Sequence, residues 1–183
     1  MSWAADRQGA RLWWDDLRFP AQGINPAGAA TDPGVDDDTG TLVFSGTADN
    51  LVAGVAQMPH SWAVGTLVRP HIHLRFPTSA AANTRWKFEY DMANRGEDFT
   101  NNSGTYTTLA TITVANTQNV KRHTSSTFGD LAMTGFRAST IILWKISRLA
   151  ASDAADDDTN DCLLMEFDFH YQTWRPGTVG EFS

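Results

Sequence analysis

At 183 residues the chain is long enough for one domain with a real core and too short for two of ordinary size. Its net charge of −7, with no basic cluster, sets electrostatics against a polyanion and excludes nucleic acid as a direct partner. No run approaches the roughly 18 apolar residues that span a bilayer, and the start, Met-Ser-Trp-Ala-Ala-Asp-Arg7, lacks the basic-then-apolar plan of a secretion signal, so a soluble chain without membrane span or secretion address is expected. Three lysines stand against eleven arginines, beside seven tryptophans, a balance that interfaces favour and that tilts the reading towards a protein built to assemble.

In chain order, residues 1–40 hold three of the seven prolines and many small residues, with no sustained periodicity beyond a short predicted helix around Ala4 to Leu12. Such a segment cannot build a core of its own, yet it carries too much aromatic surface for a free linker. The expectation is an extended N-terminal arm that attaches the chain to a partner through Trp3, Trp13, Trp14, Leu17, Arg18 and Phe19. The alternative is an arm that packs back across its own domain to cover a sheet face or edge.

From about Thr41 short β-rich runs alternate with Gly, Asn, Asp, Ser and Pro, at the spacing of a sandwich or barrel. The predicted strands are Thr41 to Ser45, Leu51 to Met58, Leu67 to Phe76, Thr84 to Met92, Thr105 to Val114, Val120 to Thr127, Thr140 to Arg148 and Asp161 to Thr173. Eight strands with no helical crossover predict an all-β fold for residues 41–183, an antiparallel, jelly-roll-like β-sandwich. Alternation assigns Trp86, Phe88, Tyr90, Ile142, Trp144, Met165, Phe167 and Phe169 to the core. The more continuously apolar Ile141 to Ile146 is expected to be central and covered on both sides. Cys162, which has no partner for an internal disulfide, sits beside Leu163 and Leu164 and is expected as a buried thiol.

The chemistry-bearing residues centre on Gln57 to Phe76. As a strand, its end points Ile72, Leu74 and Phe76 one way and His71, His73 and Arg75 the other. Gly65, five residues, then His71-Ile-His73 resembles the first half of the metal-binding motif of cupin enzymes. That motif would supply a Glu four or five residues later, and Leu74-Arg-Phe-Pro-Thr-Ser79 contains no carboxylate. A hairpin turning near Ala81 would set His73 opposite Glu89 and His71 opposite Asp91. The expectation is a hydrogen-bonded His71, His73, Glu89, Asp91 cluster with no metal and no cofactor. His60, His170 and His123 read as structural, His123 being the least suggestive. Asp36 to Asp38 and Asp156 to Asp158 lack the spacers and distal Glu of a calcium loop and read as solvated loops. There is no Gly-x-Ser-x-Gly elbow, phosphate loop or dinucleotide fingerprint, so catalysis and nucleotide binding have no motif behind them. Trp62 and Trp174 are the candidates for stacking on a glycan, with core or interface as the alternative for each.

Four blocks have a wider resemblance: Trp14-Asp-Asp-Leu-Arg-Phe-Pro20; Pro59-His-Ser-Trp62 with Gly65-Thr66 and Pro70-His-Ile-His73; Trp86 to Asn94 with Gly96-Glu97; and Leu163-Leu-Met-Glu-Phe-Asp-Phe-His-Tyr-Gln172. Together they resemble small bacteriophage virion structural proteins. The chain departs from that pattern after Tyr171, where Trp174-Arg-Pro-Gly-Thr-Val-Gly180 replaces a shorter polar ending. The resemblance implies a non-enzymatic virion component, made in the bacterial host cytoplasm and serving as head decoration or as part of the neck, tail or fibre. Other virion proteins would be its partners. Virion symmetry adds a homo-oligomer, most simply a trimer, and the family's recurrent acidic loop implies that Asp156 to Thr159 shapes the turn into Asp161. The main rival is a receptor- or glycan-binding module of a fibre, with a host receptor as partner, and the third reading is a cupin-like metal-dependent enzyme.

Overall fold

The computed structural model describes residues 11–26, 31–99, 105–116 and 122–174. The described residues form ten strands, most of them with period-two alternation: β1 (Trp13–Pro20), β2 (Gly34–Val35), β3 (Leu42–Phe44), β4 (Asn50–Gln57), β5 (Val68–Arg75), β6 (Ala82–Ala93), β7 (Thr107–Asn116), β8 (His123–Thr127), β9 (Ile141–Arg148) and β10 (Cys162–Thr173). All eight strands expected from the sequence are present. None of the described helices is long and apolar enough to cross a membrane.

The strands form two antiparallel sheets. Sheet A runs β2-β3-β10-β5-β8, with β1 also paired to β10, and sheet B runs β4-β9-β6-β7. After β3 the chain passes to sheet B for β4, returns for β5, crosses for β6 and β7, and then alternates A, B, A through β8, β9 and β10. The fold is therefore an antiparallel, jelly-roll-like β-sandwich, as the alternation predicts. Its core is the layer between the sheets. Phe167 and Phe169 of β10 meet Phe88 of β6 with ring centroids 5.6 and 6.1 Å apart, and Phe167 lies 4.7 Å from Trp144 of β9. Each such ring, fully buried, contributes on the order of 1.5–3 kcal/mol before ordering costs.

Several expectations are corrected. The body begins well before Thr41: β1 pairs with β10 over its whole length, from Trp13 opposite Thr173 to Pro20 opposite Glu166, and β2 pairs with β3. Leu17 and Phe19 pack against the chain's own core, Phe19 edge-on to Trp144 at 5.4 Å, while Arg18 is ion-paired to Glu166. Leu17 and Phe19, expected to attach to a partner, cover the sandwich instead, because β10 would otherwise leave the edge of its C-terminal half unpaired, while Arg18 stays exposed on the outer side. Trp13 and Trp14 are half-buried. Trp3 and the predicted helix lie outside the described residues, save Arg11 and Leu12, which are not helical.

Within the core set, Tyr90 and Met165 are only half-buried. At Met165 the cause is a β-bulge: the pairing of β10 with β5 slips between Leu164 and Glu166, so the inward phase set by Cys162 and Leu164 resumes at Phe167. β9 is central in sheet B but covered on one face only, with Ile142, Trp144 and Ile146 buried and Ile141, Leu143 and Lys145 half-buried. Cys162 is buried as expected, and burial pushes its thiol pKa up.

The loop ahead of β10 is not solvated at its key positions. Asp156 and Asp158 are buried, and the fully buried Arg148 grips both Asp156 oxygens, Nη2 to Oδ1 at 2.9 Å and Nε to Oδ2 at 3.1 Å. The same guanidinium donates to the carbonyls of Phe44, Asn160 and Asp158. Asp158 in turn accepts from Asn116 Nδ2 at 2.7 Å and from the Asn160 backbone N–H at 3.0 Å. The other triplet holds a turn, with Asp36 Oδ1 accepting from the backbone N–H and hydroxyl of Thr39.

Candidate functional site

The register of β5 against β10 places His71 opposite Asp168, His73 opposite Glu166 and Arg69 opposite His170. Since Ile72, Leu74, Phe167 and Phe169 point into the core, these polar residues stand on the outer face of sheet A, away from sheet B. β1 extends that face with Asp16 opposite His170 and Arg18 opposite Asp168. On the other side β8 sets Thr127 against His71, Ser125 against His73 and His123 against Arg75.

Four of these side chains converge. His71, His73, Asp168 and His170 each bring one nitrogen or oxygen into a group whose members all lie within 4.8 Å of one another. His73 Nε2 is 2.8 Å from Asp168 Oδ2, and its other nitrogen, Nδ1, is 2.8 Å from His123 Nε2, with the two rings stacked. His170 Nε2 lies 3.3 Å from both Asp168 Oδ1 and Asp16 Oδ1. The His71 and His170 rings are 3.8 Å apart between centroids. His71, Asp168 and His170 are buried despite their outward direction, and His73 is half-buried.

Burial sets the charge states. Desolvation, reinforced by neighbouring His170, pushes the His71 pKa down to about 4 against the pull of Asp168, so His71 is neutral at physiological pH. For Asp168 burial works upward, but hydrogen bonds from His170 and His73 prevail and hold its carboxyl below the ordinary 3.8. Burial raises the pKa of Asp16. Three imidazoles around one ionised carboxylate form either a hydrogen-bond network or the donor set of a metal ion.

The sequence brings the right two histidines forward and the wrong carboxylates with them. Glu89 and Asp91 belong to β6, in the other sheet; Glu89 pairs with Lys87 at 3.0 Å and Asp91 Oδ1 accepts the Met92 backbone N–H at 2.9 Å. The predicted hairpin fails because the chain crosses to sheet B after β5, so that Ile72 and Leu74 bury their faces against β6 and β9 from across the core and not from beside them. Asp168 and His170, missed as partners, carried a readable signal: they repeat on the polar face of the last strand the two-residue spacing of His71 and His73 on β5. His123 is no bystander either, given its contact with His73. His60 bonds Ser139 Oγ at 2.9 Å, outside the cluster.

Of the glycan candidates, Trp62 is buried in the core at 2 % exposure and bridged to Thr173, which removes it as a stacking platform. Trp174 is half-buried just beyond β10. Trp14, on the outer face of sheet A, is also half-buried, with the Arg69 guanidinium 5.6 Å from its ring centroid and Arg69 Nε in turn on Asp130.

No family model and no curated protein matches the chain. Among solved structures it is similar to the carbohydrate-binding module CBM36 in complex with calcium and xylotriose, at 12% identity and a TM-score of 0.46, over 86% of this chain and 99% of that one. It is similar to CBM35 from Cellvibrio japonicus Abf62, at 12% identity and a TM-score of 0.45, over 91% of this chain and 100% of that one. A third likeness, at 8% identity and a TM-score of 0.44, is to the CBM22-2 xylan-binding domain from Paenibacillus barcinonensis Xyn10C, over 85% and 98% of the two chains. At these scores no ligand and no role passes from those modules to this chain.

Proposed function

We propose that this chain is a non-catalytic recognition module carried on a bacteriophage particle, binding a host-surface saccharide with the outer face of sheet A. The observation that carries the reading is the composition of that face around β1. Trp14 presents part of an indole with the Arg69 guanidinium 5.6 Å from its ring centroid, and the exposed Asp16 and Arg18 follow along the same face of β1. An aromatic plane next to planar charged donors and acceptors is the chemistry that stacks on a sugar ring and fixes its hydroxyls. A glycan array probed with the full chain is expected to return a defined saccharide, with binding lost in Trp14→Ala and kept in a variant at the exposed Val55 of sheet B. An array without hits, or equal binding by Trp14→Ala, overturns the saccharide reading.

A second reading, a structural part of the virion, has its own support. Three of the blocks that resemble phage virion proteins, around Trp14 to Pro20, Pro70 to His73 and Leu163 to Gln172, are neighbouring strands of one sheet, in the order β1-β10-β5. Mass spectrometry of purified particles is expected to find the chain at a fixed copy number among other virion proteins, as a homo-oligomer, and its absence from particles overturns that reading.

A further inference from the structure

We infer that His71, His73, Asp168 and His170 form a binding site for one divalent transition-metal ion of the zinc type, which clamps β5 to β10 on the outer face of sheet A. The donor set comes first. Three imidazole nitrogens and one carboxylate oxygen suit a borderline ion such as zinc, whereas calcium or magnesium would want six or more oxygens. Bonds of about 2.0–2.1 Å in a tetrahedron place ligand atoms roughly 3.3 Å apart. No two of the four ligand atoms are more than 4.8 Å apart, so closing on an ion requires at most about 1.5 Å of side-chain movement, within the reach of small torsional changes on a fixed backbone.

The backbone is suited to that demand. The ligands come in i, i+2 pairs from two strands that are hydrogen-bonded to each other in the middle of sheet A, flanked by β1 and β8. Pairing therefore fixes all four attachment points.

The surroundings fit as well. A metal-ligating imidazole commonly hands its second nitrogen to a partner that sets its orientation. His73 does so: with Nε2 turned to the cluster, its Nδ1 lies 2.8 Å from His123 Nε2. When the ion displaces the proton from Nε2, the His73 proton resides on Nδ1 and donates to His123. Asp16, 3.3 Å from His170, adds negative charge beside a site whose own ligands carry a single one. Four protein ligands and a buried centre describe a structural site, closed to substrate, and not a hydrolytic one.

The rival is a metal-free hydrogen-bond network around Asp168, and the two differ in stoichiometric uptake. The test uses the full chain without a histidine tag, stripped with a chelator and titrated with zinc against a chromophoric competitor, with cobalt as a spectroscopic probe. Expected are one ion per chain, the visible absorption of four-coordinate cobalt, and a higher melting temperature with zinc. The His71→Ala, His73→Ala double variant is expected to lose uptake and His60→Ala to keep it. His123→Gln is expected to weaken zinc affinity by about 10–100-fold, as for a group that orients a ligand. Absence of stoichiometric binding by the wild-type chain overturns the inference whatever the variants do, and so does unchanged affinity in a folded double variant. If the double variant does not fold, Asp168→Asn, which keeps the shape and removes the ligand charge, takes its place under the same criterion. The metal site does not rest on the saccharide reading, and the array and the titration fail independently.

Discussion

Arg148 shows how a single residue organises a loop that the sequence presents as a string of solvated acids. Its guanidinium is fully buried, fork-bonded to Asp156 and shared among three carbonyls, so one side chain pins β9, the end of β3 and the entry to β10. Replacing one partner of a buried pair leaves the other charged and desolvated, at a cost of about 3–5 kcal/mol. Arg148→Leu is therefore expected to lower the unfolding free energy from urea titration by about 3–5 kcal/mol, with a matching fall in the midpoint. Arg148→Lys should restore little, because a single ammonium cannot reproduce the planar fork. Equal urea midpoints for wild type and Arg148→Leu would refute this account. The sequence could not announce the pair: Asp156 and Asp158 are chemically indistinguishable from Asp157 until Arg148, eight and ten residues earlier, turns out to be enclosed with them.

At the scale of elements, β1 is the decisive finding. It pairs with β10 along eight residues and lays Leu17 and Phe19 on the core, so a chain beginning at Thr41 loses this strand, the short β2, these apolar contacts and the cover of an edge. That truncation is expected to aggregate or unfold on size-exclusion chromatography, and a monodisperse, folded product would show β1 to be dispensable. The eight strands from β3 to β10 are legible because they are β-rich runs bounded by turn signals, several of them alternating cleanly. β1 hides because Trp13-Trp14 and Asp15-Asp16 break the alternation at its start among proline-rich neighbours, and β2 is only two residues long. Alternation also states that a face is buried without stating against what. The pairing of β5 with β10 instead of β6, and with it the true carboxylate of the histidine cluster, is a matter of which sheet each strand joins. The bulge at Met165 adds a half-period that no composition marks.

For the molecule as a whole, the histidine cluster couples stability to pH. His71 faces His170 and Asp168 of β10, Thr127 of β8, and His73 and Arg69 of its own strand. In chelator-treated protein its pKa is about 4 when folded, against about 6.5 when unfolded. Between those values the unfolded state binds more protons, so stability is complete above about pH 6.5, falls as pH drops, and levels off below about pH 4. The full loss from this group is about 3 kcal/mol. Asp168, held below 3.8, extends the decline to lower pH. Urea midpoints compared at neutral and mildly acid pH are expected to show the fall, and His71→Gln is expected to flatten it. An unchanged slope in that variant would assign the effect elsewhere.

The place of β10 also governs when the protein can be finished. It is the strand to which β1, β3 and β5 all pair, and of the ten it is synthesised last. Contacts such as Arg18 with Glu166 and Tyr171 with Asp15 close loops of 148 and 156 residues. At about 5–20 residues per second of synthesis, β1 is made roughly 7–30 seconds before its partner. Until then the first half of sheet A has no centre, and the apolar faces of β1, β3 and β5 wait uncovered. Sheet B needs β9, which is also late, so neither half of the sandwich can mature ahead of the other. Folding thus waits for the synthesis of β10 and is dominated by non-local closure, the regime in which chains fold slowly and meet each other before they are folded.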